Sequence, residues 1–263
     1  MKTLTLDSHG ARIRLRAPHS IATRLCGQVS DYAQVGGEGP VDAAFVVVPD
    51  GVDRFRLCRR DGHTEMVGTE DEVIVGFVDR VHPLVARNAR TAMFVHAAAF
   101  AWGRAVVVVP GRSHSGKSSL VAEALASGAR YFSDEFAVFD DDGLLHPYAR
   151  PLSLRGREGP RRFATAAELG GTVATEPARP VLVVSTRYEP GRRWDPRVVE
   201  GSSAALPLID NTVMARSDPR RMLRITSRVA SRVTTLVGPR GEAGETVAAL
   251  RVRAMEAAEG VPA

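Results

Sequence analysis

Residues 111–118 follow the pattern G-x-x-x-x-G-K-[ST], which is typical of a loop that binds phosphate. The glycines let the main chain curl so that successive N–H groups face a polyphosphate, and the helix that follows adds the positive end of its dipole. In this pattern Lys117 contacts the β- and γ-phosphates, and the Ser118 hydroxyl binds Mg²⁺. The expected nucleotide contacts, with His114 contributing mainly its main chain, are Gly111, Ser113, His114, Ser115, Gly116, Lys117, Ser118 and Ser119.

Arginine supplies almost all of the positive charge, which makes the lysine of this loop unusual. The chain has 35 Lys and Arg residues, and only Lys2 and Lys117 are lysine. An ammonium group is a compact charge on a slender stem, so it can enter a tight loop that a planar guanidinium group would not fit. The lysine at position 117 therefore supports the phosphate-binding interpretation.

The elements on either side of the loop are predicted to be a strand and a helix. Residues 105–109 form an apolar, β-branched run that predicts a buried strand, and residues 119–126 have helical character. Gly128 is expected to end that helix in the left-handed conformation. Residues 93–100 predict a strand that forms a hairpin with the 105–109 strand and carries His96.

Two adjacent acids, Asp134 and Glu135, fall in the middle of a stretch, residues 130–139, that predicts one further strand. Acids inside a strand are costly unless they act on a substrate or bind a metal ion. Neighbouring side chains of a strand point to opposite faces, so only one of the two acids can address a nucleotide.

The sequence predicts an α/β fold with two domains. Residues 1–68 read as a small N-terminal α/β module, because residues 3–6 and 12–16 alternate between apolar and polar side chains. Thr69 and Glu72 form a capping-box pattern that starts a helix, which Pro83 should kink or restart. We place the domain boundary there, so the phosphate-binding domain covers residues 69–263. Its later elements are predicted to be a strand at 181–188 and helices at about 202–215, 219–236 and 242–258.

Composition limits the classes of partner and compartment. The net charge of +5 suggests an acidic partner, and ATP alone would satisfy this. No basic run is interleaved with aromatic residues, so we expect no nucleic-acid partner. Cys26 and Cys58 read as reduced core residues, and no signal segment or apolar run of about 18 residues is present. We therefore expect a cytoplasmic protein that does not enter a membrane.

Residues beyond the loop separate the classes of phosphate-binding protein. A GTPase needs an N-K-x-D guanine-recognition motif, which the two lysines cannot supply, and a transport ATPase needs an L-S-G-G-Q type segment, which is missing. A kinase remains. A serine hydroxyl is a poor nucleophile, so such a site needs a nearby carboxylate and cations around the γ-phosphoryl group.

The arrangement of His96, the loop at 111–118 and the segment 128–135 resembles the catalytic domain of the HPr serine kinase/phosphorylase family. The resemblance covers about residues 93–160. It implies a P-loop kinase domain of the HPr-kinase type, which uses ATP and Mg²⁺ to phosphorylate a serine. Relatives of this family often form rings, so the resemblance allows a homo-oligomer.

The same resemblance implies roles for individual residues. Asp134 matches the family's general base, His96 matches the histidine that orients it, and Glu135 stands where the family has a second Asp that binds magnesium or positions the nucleophile. Arg155 matches the arginine of a short family signature. Ser153 replaces the metal-binding glutamate of that signature, which puts a second metal site and the reverse phosphorolysis in doubt.

The acceptor stays open at this point. The resemblance suggests a serine of a small protein such as HPr, or of a ribosomally made precursor peptide. The alternatives are a kinase for a small hydroxyl metabolite and a nucleotide-binding regulatory protein that transfers no phosphate. Arg221, Arg224, Arg228 and Arg232 line one face of the helix predicted at 219–236. This stripe reads as a solvated face, with docking of an acidic peptide as the other interpretation, as for the polar 189–200 loop.

Overall fold

The computed structural model describes residues 1–29, 32–37, 39–112, 115–154 and 162–260. Within these residues the fold is α/β, as the sequence predicts, with helices and mixed sheets. The chain forms two compact units, Met1–Ala92 and Met93–Ala263. Each unit has its own sheet.

The first unit contains a six-stranded sheet in the order β3-β1-β2-β4-β5-β6. β2 and β4 are parallel, and the other neighbours are antiparallel. Its elements are β1 (Lys2–Ser8), β2 (Ala11–Ala17), α1 (His19–Val29), β3 (Gln34–Val35), β4 (Ala43–Pro49), β5 (Phe55–Arg59), β6 (Thr64–Gly68) and α2 (Glu70–Asn88).

The predicted alternation in the first two strands is confirmed. In β2 the side chains of Ala11, Ile13 and Leu15 are fully buried, while Arg14 and Arg16 lie on the other face. Successive side chains of a strand point to opposite faces, so this period of two places one face in the core. The sequence of β2 therefore determines which side of the sheet meets the helices.

The capping box at Thr69 is also confirmed, but its helix differs from the prediction in two ways. The Thr69 side chain accepts the Glu72 N–H, and the Glu72 carboxylate accepts the Thr69 N–H at 2.8 Å. α2 continues through Pro83 as one helix, because buried residues before and after it, such as Val81 and Val85, hold both turns against the core. The same packing places α2 in the first unit, so the units divide after Ala92 rather than at the predicted boundary of residue 69.

The second unit contains a nine-stranded sheet in which β11-β10-β7-β8-β15-β17-β16 form the main order and β9 links β7 to β14. A separate pair is formed by β12 and β13. The strands are β7 (Met93–Trp102), β8 (Ala105–Pro110), β9 (Arg130–Ser133), β10 (Phe136–Phe139), β11 (Leu145–His146), β12 (Leu152–Leu154), β13 (Arg162–Ala164), β14 (Thr172–Val173), β15 (Pro180–Tyr188), β16 (Arg197–Val199) and β17 (Thr234–Arg240). The helices are α3 (Lys117–Ala126), α4 (Leu206–Ile209), α5 (Pro219–Ala230) and α6 (Ala243–Glu259), with 3-10 turns at Ala167–Leu169 and Gly201–Ala205.

The core of this unit lies on both faces of the sheet. Val107 and Val109 of β8 pack in a cluster with residues of α3 and α6, while Val106 and Val108 face a cluster that contains residues of α4 and α5. A strand buried on both faces reads as a continuous apolar run. This explains why the sequence of β8 is β-branched at four successive positions.

Three predicted elements of the second unit are wrong in their limits. α5 ends at Ala230, and the residues that follow form β17, which pairs in parallel with β15. The run of Thr and apolar residues in β17 completes the sheet, and this tertiary pairing overrides the helical pattern. Between 202 and 215 only a 3-10 turn and the short α4 form, and the strand predicted at 130–139 is split into β9 and β10.

No helix within the described parts of the chain has both the length and the apolar character required to traverse a lipid bilayer.

Candidate functional site

The loop between β8 and α3, which we call the 111–116 loop, depends on its two glycines. Gly116 has φ of 83°, a left-handed conformation that disfavours other residues, and a side chain there would meet the Arg240 guanidinium group. A Cβ atom at Gly111 would lie 2.7 Å from the Ser115 hydroxyl oxygen. The close packing beneath the loop therefore explains both glycines of the motif.

Lys117 bends back over this loop. Its Nζ atom donates to the carbonyl oxygen of Gly111 at 2.7 Å and to that of Arg112 at 2.9 Å. Burial lowers the pKa of the Lys117 ammonium group, and the carboxylates of Glu135 and Asp134 oppose this shift. The Lys117 ammonium group thus lies against the loop carbonyls and interacts electrostatically with the two acids.

The Asp134 carboxylate is directly connected to the first turn of α3. It accepts a hydrogen bond from the Ser118 hydroxyl at 3.1 Å, and its other oxygen lies 2.9 Å from the Tyr131 hydroxyl. Burial raises the pKa of Asp134, while the Arg150 guanidinium group and the two hydroxyls lower it. The acid and the serine that the sequence places on different elements therefore meet at one point.

Glu135 is held by Arg150, a residue that the sequence analysis did not single out. The Arg150 Nη2 atom lies 2.6 Å from Glu135 Oε2, and its Nε atom lies 4.0 Å from Asp134 Oδ1. The Glu135 side chain is 35% exposed, whereas that of Asp134 is 3% exposed. Arg150 therefore interacts with both acids, of which Glu135 is partly exposed to solvent and Asp134 is buried.

The break between β9 and β10 accounts for the positions of both acids. Both strands pair with β7, and Asp134 and Glu135 lie between them, where the Ala97 N–H donates to the Glu135 carbonyl oxygen. An interruption of this kind re-aims side chains that a regular strand would send to fixed faces. Because the strand is broken here, the two acids are not forced to opposite faces, and both can lie near a nucleotide.

His96 lies on β7 beside the start of the loop. Its carbonyl oxygen accepts the Gly111 N–H at 3.0 Å, and its ring lies 4.6 Å from the Phe136 ring. Burial lowers the pKa of His96; Glu135 opposes this shift and Lys117 adds to it. Both residues are described, and no hydrogen bond joins the His96 ring to the Asp134 carboxylate, so the contact implied by the resemblance is not present in this structure.

Arg240, the last residue of β17, reaches the other side of the loop. Its Nη2 atom donates to the Gly116 carbonyl oxygen at 3.1 Å, and its Nη1 atom donates to that of Gly241 at 2.8 Å. Burial lowers the pKa of this guanidinium group. The sequence does not reveal Arg240, because the predicted 219–236 helix covers the start of β17 and one arginine among 33 carries no signal of its own.

The remaining predicted residues divide into two groups. Ser119 is exposed in the first turn of α3, and the Ser115 hydroxyl is buried beneath the loop without a hydrogen-bond partner. Ser113, His114 and Arg155 lie outside the described residues. Within the described ranges, no group of three or more His, Cys, Asp and Glu side chains could hold a metal ion.

The arginine stripe of α5 has acidic partners within the chain. Arg221 and Arg224 lie 2.7 Å and 3.2 Å from Asp141, and Arg228 lies 2.6 Å from Asp142. These acids belong to the turn between β10 and β11. Arg224 and Arg228 remain partly exposed in these pairs, so the stripe lies mostly on a solvated face, and any acidic peptide would have to compete with this turn.

Comparison of the sequence with protein-family models and with curated proteins gave no match.

Proposed function

We propose that this chain is a kinase that uses ATP and Mg²⁺ to phosphorylate a serine hydroxyl of a peptide or small protein, in a P-loop domain of the HPr-kinase type. The hydrogen bond between Ser118 and Asp134 carries the proposal, because it joins the end of the phosphate-binding motif to the acid pair. The resemblance of residues 93–160 to HPr serine kinases adds the type of reaction and the acceptor group.

The 111–116 loop fits the phosphates of a nucleotide. Its main chain runs into the N-terminus of α3, whose free N–H groups and dipole favour an anion. Lys117 adds a full positive charge at the same place, supported by the two loop carbonyls. The Lys117 ammonium group and the N-terminus of α3 would therefore offset the charge of a bound triphosphate beside the two acids.

The oxygen atoms of Ser118 and Asp134 fit one magnesium ion. Adjacent ligands of an octahedral Mg²⁺ ion, each roughly 2.0–2.1 Å from the metal, lie about 2.9 Å apart. The two oxygens are 3.1 Å apart. Magnesium in nucleotide sites takes one or two protein ligands and completes its shell with phosphate oxygens and water. When bound, it neutralises the charge that develops on the transferred phosphoryl group.

This geometry favours a different division of roles from the one that the resemblance implies. The resemblance makes Asp134 the base and Glu135 a metal or positioning residue. Asp134, however, is buried and occupied by Ser118 and Tyr131, whereas Glu135 is partly exposed and held from one side by Arg150. We therefore assign Asp134 to magnesium and Glu135 to the proton of the acceptor.

In the reaction, the Glu135 carboxylate accepts the proton of the serine hydroxyl as its oxygen attacks the γ-phosphorus atom. The bond from that phosphorus to the bridging oxygen breaks, and ADP keeps the electron pair. Lys117 and the N–H groups of the loop stabilise the negative charge. Arg150 orients the Glu135 carboxylate before the proton moves.

Label transfer from γ-labelled ATP tests the proposal. The protein is incubated with MgATP and, in separate reactions, with serine peptides of varied sequence, HPr-like proteins and a mixture of hydroxyl metabolites. We expect label on serine of a peptide or protein. Label on a metabolite would replace the acceptor class with a small molecule, and ATP binding without any transfer would indicate a regulatory nucleotide-binding protein.

A further inference from the structure

A buried arginine that forms no ion pair with any described acid lies on the side of the loop away from Asp134 and Glu135. In the sheet order β10-β7-β8-β15-β17, the loop follows the central strand β8, the acids precede β10 on one side, and Arg240 ends β17 on the other. Arg240 is 2% exposed, and its Nε atom has no hydrogen-bond partner. Among the described residues no carboxylate forms an ion pair with it; the Glu242 carboxylate acts on it only electrostatically and raises its pKa, against the effect of burial.

The guanidinium group connects the loop to an aromatic ring. Arg240 Cζ lies 5.4 Å from the centre of the Tyr188 ring, which is at the end of β15 and 37% exposed. Arg240 Nη2 also donates to the Gly116 carbonyl oxygen. The path from that oxygen through Nη2 and Cζ to the ring centre is about 10 Å long, so the Tyr188 ring lies within that distance of the loop. The Tyr188 hydroxyl donates to Glu242 Oε1 at 2.7 Å.

We infer that Tyr188, Arg240 and Glu242 form the subsite for the nucleoside of the bound nucleotide. This inference rests on the proposed function. The reacting end of the triphosphate lies with the acids beside β10, so the nucleoside leaves the loop on the opposite side, toward β15 and β17. A purine base stacks on the exposed part of the Tyr188 ring, and a ribose hydroxyl donates to the Glu242 carboxylate.

In this arrangement Arg240 positions the Tyr188 ring relative to the loop. Its side chain holds the Gly116 carbonyl on one side and the Tyr188 ring on the other, so it fixes the base-binding ring relative to the phosphate-binding loop. The phosphates also add negative charge near this guanidinium group, beside that of the Glu242 carboxylate. The buried arginine and the aromatic ring therefore have one common explanation.

Binding of two ligands to one variant tests the subsite. Titration calorimetry measures the affinity of the full chain for MgATP and for magnesium tripolyphosphate, which has the same three phosphates and no nucleoside. We expect Tyr188→Ala to weaken MgATP binding about tenfold or more, because stacking on the ring is lost. Tripolyphosphate affinity should stay within about twofold. Tyr188→Phe keeps the ring and is the matched control, and Tyr188→Leu repeats the test with a larger apolar side chain than alanine that cannot stack.

Each other result has a defined meaning. Equal ATP affinity in wild type and Tyr188→Ala overturns the subsite. Equal losses for both ligands also overturn it, because the ring then acts through the loop. Wild-type protein that binds tripolyphosphate but not ATP excludes a nucleoside subsite and leaves the loop intact. Wild-type protein that binds neither ligand refutes the proposed function itself.

Discussion

The two sides of the 111–116 loop are built in opposite ways. On the side of β10, each acid has a partner: Asp134 is bonded to Ser118 and Tyr131, and Glu135 to Arg150. On the side of β17, Arg240 is buried against main-chain carbonyls and a ring; the Glu242 carboxylate acts on it electrostatically, but no described acid forms an ion pair with it.

We infer from this difference that the acid side serves the transfer reaction and that the arginine side serves nucleotide binding. Paired acids and cations hold groups in fixed protonation states and positions, which a transfer reaction requires. A cation held by neutral groups keeps its charge available to an anionic ligand. We therefore expect variants on the acid side to change transfer or the magnesium dependence of ATP binding. Variants on the arginine side should change nucleotide affinity, and variants of the loop between them should change both affinity and transfer.

The largest effect is expected from Lys117→Ala, which lies between the two sides. Loss of the ammonium group removes the charge that meets the β- and γ-phosphates, so ATP affinity should fall by about a hundredfold or more and transfer should disappear with it. Calorimetry and label transfer measure the two effects. Lys2→Ala, the only other lysine, is the matched control and should behave as wild type. An active Lys117→Ala protein would disprove the role of the loop.

The acid side alone is tested by Glu135→Gln. The amide keeps the size of the side chain but cannot take the proton of the acceptor, so transfer should fall by about 10²- to 10⁴-fold. The affinity for MgATP, measured separately, should stay close to that of wild type. If Glu135→Gln transfers phosphate normally, Glu135 is not the base, and the assignment of that role to Asp134 by the resemblance regains support.

A smaller effect, visible mainly in the pH profile, is expected from Arg150→Met. Burial raises the pKa of Asp134, and Arg150 is the largest influence that lowers it. Removing the guanidinium group should raise this pKa further, so protonated and inactive Asp134 persists to higher pH. The acidic limb of kcat/KM should move upward in pH, with about a tenfold loss of rate near neutrality. Arg150→Lys keeps a positive charge and should shift the acidic limb less. An unchanged acidic limb in Arg150→Met would show that Arg150 does not control the pKa of Asp134.

The sequence predicted the acid side far better than the arginine side. The spacing of Gly111, Gly116, Lys117 and Ser118 identified the loop, because its close packing and charge require these residue types. The acid pair stood out because acids are rare inside an apolar strand. Both signals are local in the chain, and the structure brings Lys117 and Ser118 of the loop motif close to the acid pair.

The residues that the sequence missed depend on distant pairing. β17 takes its place through seven paired positions beside β15, and the helical pattern before it gave no sign of this. Arg240 and Tyr188 meet only because those two strands are neighbours. Arg150 is one of 33 arginines and reaches Glu135 through the folding of the segment between β11 and β12. Long-range contacts of this kind leave no periodic trace in a single sequence.

The most direct test of the account is the magnesium dependence of ATP binding in Asp134→Asn. Calorimetry compares ATP affinity with Mg²⁺ and with a chelator, in the wild type and in the variant. If Ser118 and Asp134 share a magnesium ion, Mg²⁺ should tighten ATP binding in the wild type. Without Mg²⁺, Asp134→Asn should bind ATP as well as the wild type does. With Mg²⁺, the variant should show neither tighter binding nor transfer. Full tightening by Mg²⁺ and normal transfer in Asp134→Asn would contradict it.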